Sequence, residues 1–277
     1  MVRVVTDSTA DIPAEMATEL GITIVPSYVV FGLETYRDGI ELSRQQFYEK
    51  LAATEVIPTT AAPAPSVYEG VYRRLAQETD EIVSIHLAAG LSALYSSAAI
   101  GAEGIADATV SAIDSGQITM GYGWMAVAAA ESAQRGDSLE QIVGLVEGMK
   151  DRARVLAVLG TLDYVYRGGR VGWVKAMIGT LLRIKPIIDV RGGQVILAER
   201  SRTQRRAINQ LMTRIQALGS LERAIVLHTD APGLAEQVAD RLQDIAPDWQ
   251  RRVGPAGVTI ASHVGPGAVA IACIKGN

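Results

Sequence analysis

Between Val2 and Asp114 the sequence repeats one pattern: a short apolar run, a loop of small polar residues, then a longer segment with helical spacing. Val2 to Thr6 is the first such run, and Glu81 to Leu87 and Ala108 to Asp114 are later ones. Apolar runs of this length read as buried strands. Strands that alternate with amphipathic helices pair in parallel, in a sheet covered on both faces. The first half of the chain is therefore expected to form a three-layer α/β/α domain with a mainly parallel sheet.

Local signals mark the elements in between. Pro13 suits a first helical turn and Gly21 ends that helix. Ile22 to Phe31 reads as a strand. Ser43 with Gln46 spells a capping box for a helix from Arg44 to about Ala53. Pro58 to Pro65 holds three prolines and predicts no regular structure. Ser66 and Glu69 are expected to cap the following helix, and further helices span Ser92 to about Ile105, Ile118 to Arg135 and Leu139 to Arg152.

The pattern changes after about residue 154. Lys185 to Arg202 reads as two strands around Gly192-Gly193, a hairpin signal. A helix over Thr203–Leu218, a strand over Arg223–Thr229 and a helix over Pro232–Ile245 follow. From Val253 onward the chain reads as strand broken by Gly265-Pro266-Gly267. Two domains are expected: a parallel α/β domain over 1–153 and an α/β domain with a mixed sheet over 154–277.

Composition excludes several functions. A net charge of −4 leaves no electrostatic footprint for nucleic acid. The cluster of Arg200, Arg202, Arg205 and Arg206 reads as a solvated helix start. Cys273 is the only cysteine, so neither a disulfide framework nor a cysteine metal site is available. His86, His228 and His263 lack metal-ligand spacing, and no metal is expected. No P-loop is present, so ATP is not expected to bind through a Walker site. The opening residues are too soon interrupted for a signal peptide. The apolar stretches are cut by Lys175, Arg183 and Lys185, or by Glu131, well short of a spanning helix. A cytoplasmic protein with at most transient membrane contact is expected.

In open α/β sheets ligands sit beyond the carboxyl ends of the strands. Three loops fit: Asp7-Ser8-Thr9, the Pro58–Pro65 segment and Ala88 to Ser92. Thr60 and Ser92 stand out as hydroxyl donors. Thr60 equally suits a turn, and Ser92 a helix N-cap, where free N–H groups also favour an anion. In the second half, Arg167-Gly168-Gly169-Arg170 places two arginines around a tight turn, a motif that also fits a solvated surface loop. His263 precedes Gly265-Pro266-Gly267. That glycine segment looks like a dinucleotide fingerprint, but no βαβ unit follows it. Gly90-Leu91-Ser92-Ala93-Leu94 resembles half of a nucleophile elbow, with His263 as a base, so a serine acyl hydrolase is an alternative. Leu94 is bulky where an elbow needs a small residue.

In order, these fragments resemble the DegV family, whose characterised members are the fatty-acid-binding subunits of bacterial fatty acid kinase. The resemblance runs through Thr6 to Pro13, Tyr36 and Asp38, Pro58-Thr59-Thr60, Leu91-Ser92, and Asp114-Ser115 with Gly121 and Gly123. It continues through Arg167 to Gly172, Lys185-Pro186, Arg202-Thr203 and His263 to Gly267. It implies one long-chain fatty acid as ligand, no cofactor and no catalytic residue. Thr60 and Ser92 would hold the carboxylate near the junction of the two domains, with the tail in an apolar tunnel. Arg170, Arg202 and His263 would serve phosphoryl transfer or docking of an ATP-binding kinase subunit, whose acyl phosphate feeds phospholipid synthesis. Asp7, Ser8, Thr59, Arg167, Gly168, Gly169, Gly265 and Gly267 would support these loops. A related fold in dihydroxyacetone kinases implies the other alternative, a small-molecule binder that holds a sugar through a histidine. The chain departs from the family pattern at Ala88, Ala89, Ala93 and Leu94, and at Ala61 and Ala62. Those changes remove polar atoms around Thr60 and Ser92.

Overall fold

The computed structural model describes residues 1–177 and 184–276, so the interruption predicted at Arg183 lies outside the described residues. The first half runs β1 (Arg3–Asp7), α1 (Ala14–Glu19), β2 (Thr23–Val25), β3 (Tyr28–Phe31), β4 (Glu34–Arg37), α2 (Arg44–Ala53), β5 (Thr59–Ala61), α3 (Pro65–Leu75), β6 (Glu81–His86), α4 (Leu94–Glu103), β7 (Thr109–Asp114), α5 (Met120–Gln134) and α6 (Leu139–Lys150). The second half runs β8 (Ala153–Val158), α7 (Asp163–Gly168), β9 (Lys185–Arg191), β10 (Gln194–Ser201), α8 (Gln204–Gln216), β11 (Leu221–Thr229), α9 (Pro232–Ile245), β12 (Val253–Pro255), α10 (Val258–Val264) and β13 (Ala268–Lys275).

The expected parallel sheet is present, in the order β2-β1-β6-β7, with every pairing parallel. Helices α3 and α4 pack through Tyr68, Tyr72 and Ala98 on one face, and α5 covers the other. The second sheet is mixed, in the order β10-β9-β8-β13-β11-β12, with only β11 and β12 parallel. Helices α8 and α9 cover its outer face. Helix α5 is buried on all sides because it lies between both sheets. Close approach requires its glycines: a Cβ on Gly121 would come within 2.6 Å of Val155, and one on Gly123 within 2.5 Å of Ala10 O. One core cluster thus holds residues from both halves, from Val2 to Ile274. All strands of the mixed sheet lie at or beyond Ala153.

Three local expectations change. The predicted strand from Ile22 to Phe31 is two strands in different sheets, broken at Pro26-Ser27, where proline offers no donor to a ladder. The Pro58–Pro65 segment contains β5, which pairs antiparallel with β3 through Val29↔Thr60. Its prolines flank the three paired residues instead of interrupting them. Helix α3 starts on Pro65 with Ala64 at its N-cap, and Ser66 and Glu69 form no cap. Glu69 instead pairs with Arg73.

The capping box of Ser43 and Gln46 forms as read, with α2 at Arg44–Ala53. So does the hairpin at Gly192-Gly193, where both glycines have positive φ and join β9 to β10. The stretch from Val253 holds the largest difference. Seven of its residues, rich in β-branched side chains, form helix α10. No helix among the described residues is long and apolar enough to cross a membrane.

Candidate functional site

The strand order sets where a ligand can enter. From β1 the chain moves to β2 on one side, and β6 then joins β1 on the other, which opens a crevice between the carboxyl ends of β1 and β6. The loops leaving those ends carry Thr9 and the segment Leu87 to Leu94. Both face a cavity of about 260 Å³. Its wall is completed by Thr60 of β5, by Leu159 and Val165 after β8, by Ile188 and Val195, and by Thr259, Ile260, His263 and Val264 of α10. Ile118, Leu159, Ile188, Ile260 and Val264 also line an inner crevice of about 40 Å³, which is almost wholly apolar. The cavity therefore lies between the two sheets and takes its walls from both halves of the chain.

Its polar groups are few. Thr60 Oγ1 and His263 Nε2 are hydrogen-bonded at 2.8 Å, across 203 residues of sequence. Burial pulls the His263 imidazole down to about 4, and the Arg170 guanidinium nearby adds to that fall. At neutral pH the ring is uncharged. Arg170 is exposed at the rim and donates to Gly168 O at 2.7 Å. A Cβ on Gly168 would stand 3.2 Å from His263 Nδ1, so this turn is fitted closely against the ring. Ser92 is half-buried on the cavity wall. Its hydroxyl accepts from Leu94 N at 3.4 Å, while α4 begins one residue later than a Ser92 N-cap would give.

The family profile described as "Uncharacterised protein, DegV family" matches residues 1–276. This chain belongs to the DegV family. A DegV domain-containing protein of Streptomyces coelicolor is 36% identical over 274 residues, which cover 98% of this chain and 97% of the relative. The crystal structure of DegV, a fatty acid binding protein from Bacillus subtilis, superposes with a TM-score of 0.90 at 34% identity, covering 99% of each chain. A DegV family protein from Thermus thermophilus, studied for fatty acid binding, gives a TM-score of 0.87 at 30% identity, again covering 99% of each chain.

In this DegV chain two buried networks lie behind the cavity wall. In the first, His86 Nδ1 meets Asp7 Oδ2 at 2.9 Å and His86 Nε2 meets Ser84 Oγ at 2.7 Å. A serine, a histidine and a carboxylate in line resemble a hydrolytic triad. All three are fully buried, none lines the cavity, and Ser84 is also bonded to Tyr72 Oη at 2.8 Å. The network ties β1 to β6. Asp7 Oδ1 also accepts from Thr9 N at 3.0 Å and from the hydroxyls of Thr9 and Tyr122, which fixes Thr9 in the wall. In the second network Asp38 Oδ2 accepts from Ser8 Oγ at 3.0 Å and from Thr259 Oγ1 at 2.8 Å.

Asp11 adjoins this second group and is also buried. Burial raises its carboxyl to about 7; the Thr119 hydrogen bond opposes the rise and the neighbouring Asp38 charge adds to it. An unfolded aspartate ionises near 3.8. Between those values the folded chain holds the extra proton, so this group's contribution to stability is full below the lower value and lost as pH rises through about 7. Asp11→Asn carries no charge to bury and tolerates the left-handed backbone at this position. The variant is expected to be more stable than the parent at about pH 8, with a flatter stability profile from about pH 5 to 8. Urea denaturation across that range checks this; an unchanged slope would refute it.

The structure thus brings Thr60, Ser92, Gly168, Arg170 and His263 to one cavity. Asp7 and Ser8 act one layer behind it. Thr59 and Arg167 are exposed and do not line it, nor does Arg202, exposed just past β10. Gly169 ends α7 in the left-handed conformation, and Gly265 and Gly267 likewise have positive φ in the loop after α10. Ser92 and His263 do not form the hydrogen-bonded pair that a serine hydrolase requires, because His263 Nε2 is engaged by Thr60. Thr9, Thr259 and Ile260 are wall residues that sequence reasoning passed over. Thr9 lay in a quoted loop, but α10 gave no helical signal to place the other two.

Proposed function

We propose that the chain binds one long-chain fatty acid, with its tail in the apolar cavity and its carboxylate at Thr60 and Ser92, and presents it to a separate ATP-dependent kinase subunit. The observation that carries this reading is a largely apolar cavity between the sheets whose polar groups are neutral hydroxyls and one uncharged imidazole, with Arg170 as the one charged side chain, exposed at its rim. Fatty acid binding in the relatives from Bacillus subtilis and Thermus thermophilus supports it. A polyol would find few partners in such a wall, which disfavours the sugar-binding alternative.

Burial of the tail supplies the affinity, at about 0.8 kcal/mol per methylene. The head group needs only orientation. In the tautomer that places the His263 proton on Nε2, the ring donates to Thr60 Oγ1 and frees the threonine proton for the carboxylate. A neutral hydroxyl orients the carboxylate without drawing off the charge that makes its oxygen a nucleophile, as a bidentate arginine would. The carboxylate oxygen then attacks the γ-phosphorus of ATP held by the partner; an O–P bond forms, the bond to the ADP oxygen breaks, and the acyl phosphate passes to phospholipid synthesis. Arg170 at the rim screens the transferring phosphoryl group.

Native mass spectrometry of the purified protein tests the ligand: a co-purified fatty acid is expected, and an empty protein that takes up no added palmitate would overturn the reading. Two variants test the division of labour. Ser92→Ala should weaken acyl phosphate formation. Arg170→Ala should leave fatty acid affinity within about twofold of the parent while phosphorylation by the partner falls by two orders of magnitude or more. Loss of lipid binding in Arg170→Ala would show that the arginine holds the carboxylate itself.

A further inference from the structure

Helix α10 walls both the cavity and its inner crevice, through Ile260 and Val264. It belongs to the second half of the chain, yet Val258 and Ala261 pack with Val29, Phe31, Leu42 and Phe47 of the first half. A seven-residue helix cannot hold itself together, so tertiary contacts must place it. Two carboxylates from the first half meet at its start. Asp11 Oδ1 accepts from Gly257 N at 2.8 Å, and Asp38 Oδ2 accepts from Thr259 Oγ1 at 2.8 Å. Arg44 Nε adds a third tie to Ala256 O at 3.2 Å. A Cβ on Gly257 would lie 2.5 Å from Asp11 Oδ1 and 3.7 Å from Asp38 Oδ2, so both carboxylates converge on this one glycine.

The clamp is itself braced. Asp11 Oδ2 accepts from Thr119 Oγ1 at 2.6 Å. Asp11 and Thr119 both have positive φ, 55° and 45°, which a buried β-branched residue adopts only where its surroundings enforce it. Neither Asp11 nor Asp38 lines the cavity, so neither can act by touching a ligand there.

We propose that Asp11 and Asp38 are positioning residues of the fatty acid site: they clamp the start of α10 to the first half of the chain and so set where Thr259, Ile260 and His263 stand in the cavity wall. The proposal takes its meaning from the fatty acid reading, but its grounds are the clamp geometry alone. When the clamp is released, α10 moves off β3 and β5, His263 loses Thr60 and meets water, and the wall over the tail loosens.

Histidine-labelled NMR of the full chain tests this, with His86 in its separate buried network as an internal control for folding. In Asp38→Ala and Asp11→Ala the His263 titration midpoint should rise by about one pH unit or more toward the ordinary imidazole value. Palmitate should dissociate about tenfold faster, since interface changes act mainly on dissociation. Asp38→Asn keeps an acceptor for Thr259 and should restore both readouts nearly to the parent's. An unmoved His263 midpoint and unchanged dissociation in folded Asp38→Ala and Asp11→Ala would overturn the proposal. Should those variants fail to fold, Gly257→Ala drives a methyl against Asp11 Oδ1 and is judged by the same two readouts. A shifted midpoint in protein that binds no palmitate would uphold the clamp and remove the fatty acid reading; the reverse pattern would do the opposite.

Discussion

Replacing Ile260 with tryptophan is expected to weaken palmitate binding about fiftyfold. Ile260 borders both the main cavity and the inner crevice, so a ring there blocks the passage between them. The residue is only half-buried, so the fold has room to accept a larger side chain. A closed crevice and the added bulk of the indole together keep about three methylenes from apolar walls. At about 0.8 kcal/mol each this amounts to about 2.4 kcal/mol, and each 1.4 kcal/mol is tenfold in affinity. Isothermal titration measures it directly. Octanoate, whose tail need not pass Ile260, should lose far less. A palmitate affinity within threefold of the parent would mean that the tail takes another route.

Gly265→Ala is expected to lower stability by about 3 kcal/mol. Gly265 has φ 71° and ψ 179°, a region open essentially to glycine alone. The added methyl would also stand 2.4 Å from Cδ2 and 2.9 Å from Cγ of Tyr164. Those atoms belong to the body of the ring, so a small swing of the side chain does not relieve the overlap. The loop has little slack elsewhere, since Thr229 Oγ1 donates to Gly265 O and accepts from Ala268 N. For a chain of this size the change corresponds to a fall in melting temperature on the order of 5 to 10 °C. Scanning calorimetry reads it, and a melting temperature within two degrees of the parent would show that Tyr164 yields easily. Because His263 ends two residues earlier, the same variant should also weaken ligand binding.

Much of this architecture is written in local chemistry. Ser43 and Gln46 start α2 because a hydroxyl and an amide satisfy the free N–H groups of the first turn wherever that helix is placed. Gly192 and Gly193 turn β9 into β10 because only residues at ease with positive φ make so tight a reversal. Buried parallel strands such as β6 read as unbroken apolar runs, since both faces are covered. Thr60, Ser92, Arg170 and His263 also stand out in the sequence, as hydroxyls, an arginine turn and a histidine, although only Ser92 follows a strand; Thr60 lies within β5, Arg170 follows α7 and His263 lies in α10.

Other features depend on partners remote in sequence. Val258 to Val264 carries a strand-like composition, and it coils into α10 only because Phe31, Leu42 and Phe47 bury one side of it while Asp11 and Asp38 hold its start. Thr59 to Ala61 looks like a proline loop until Tyr28 to Val30 supplies a ladder for it. The sequence by itself therefore determined most of the run of elements and the parallel character of the first sheet, because capping, turn formation and apolar patterning act over a few residues. Only the tertiary structure decided that Thr60 meets His263, that both halves wall one cavity, and that two buried acids clamp α10. Those contacts join residues some 200 apart, and no local preference encodes such a distance.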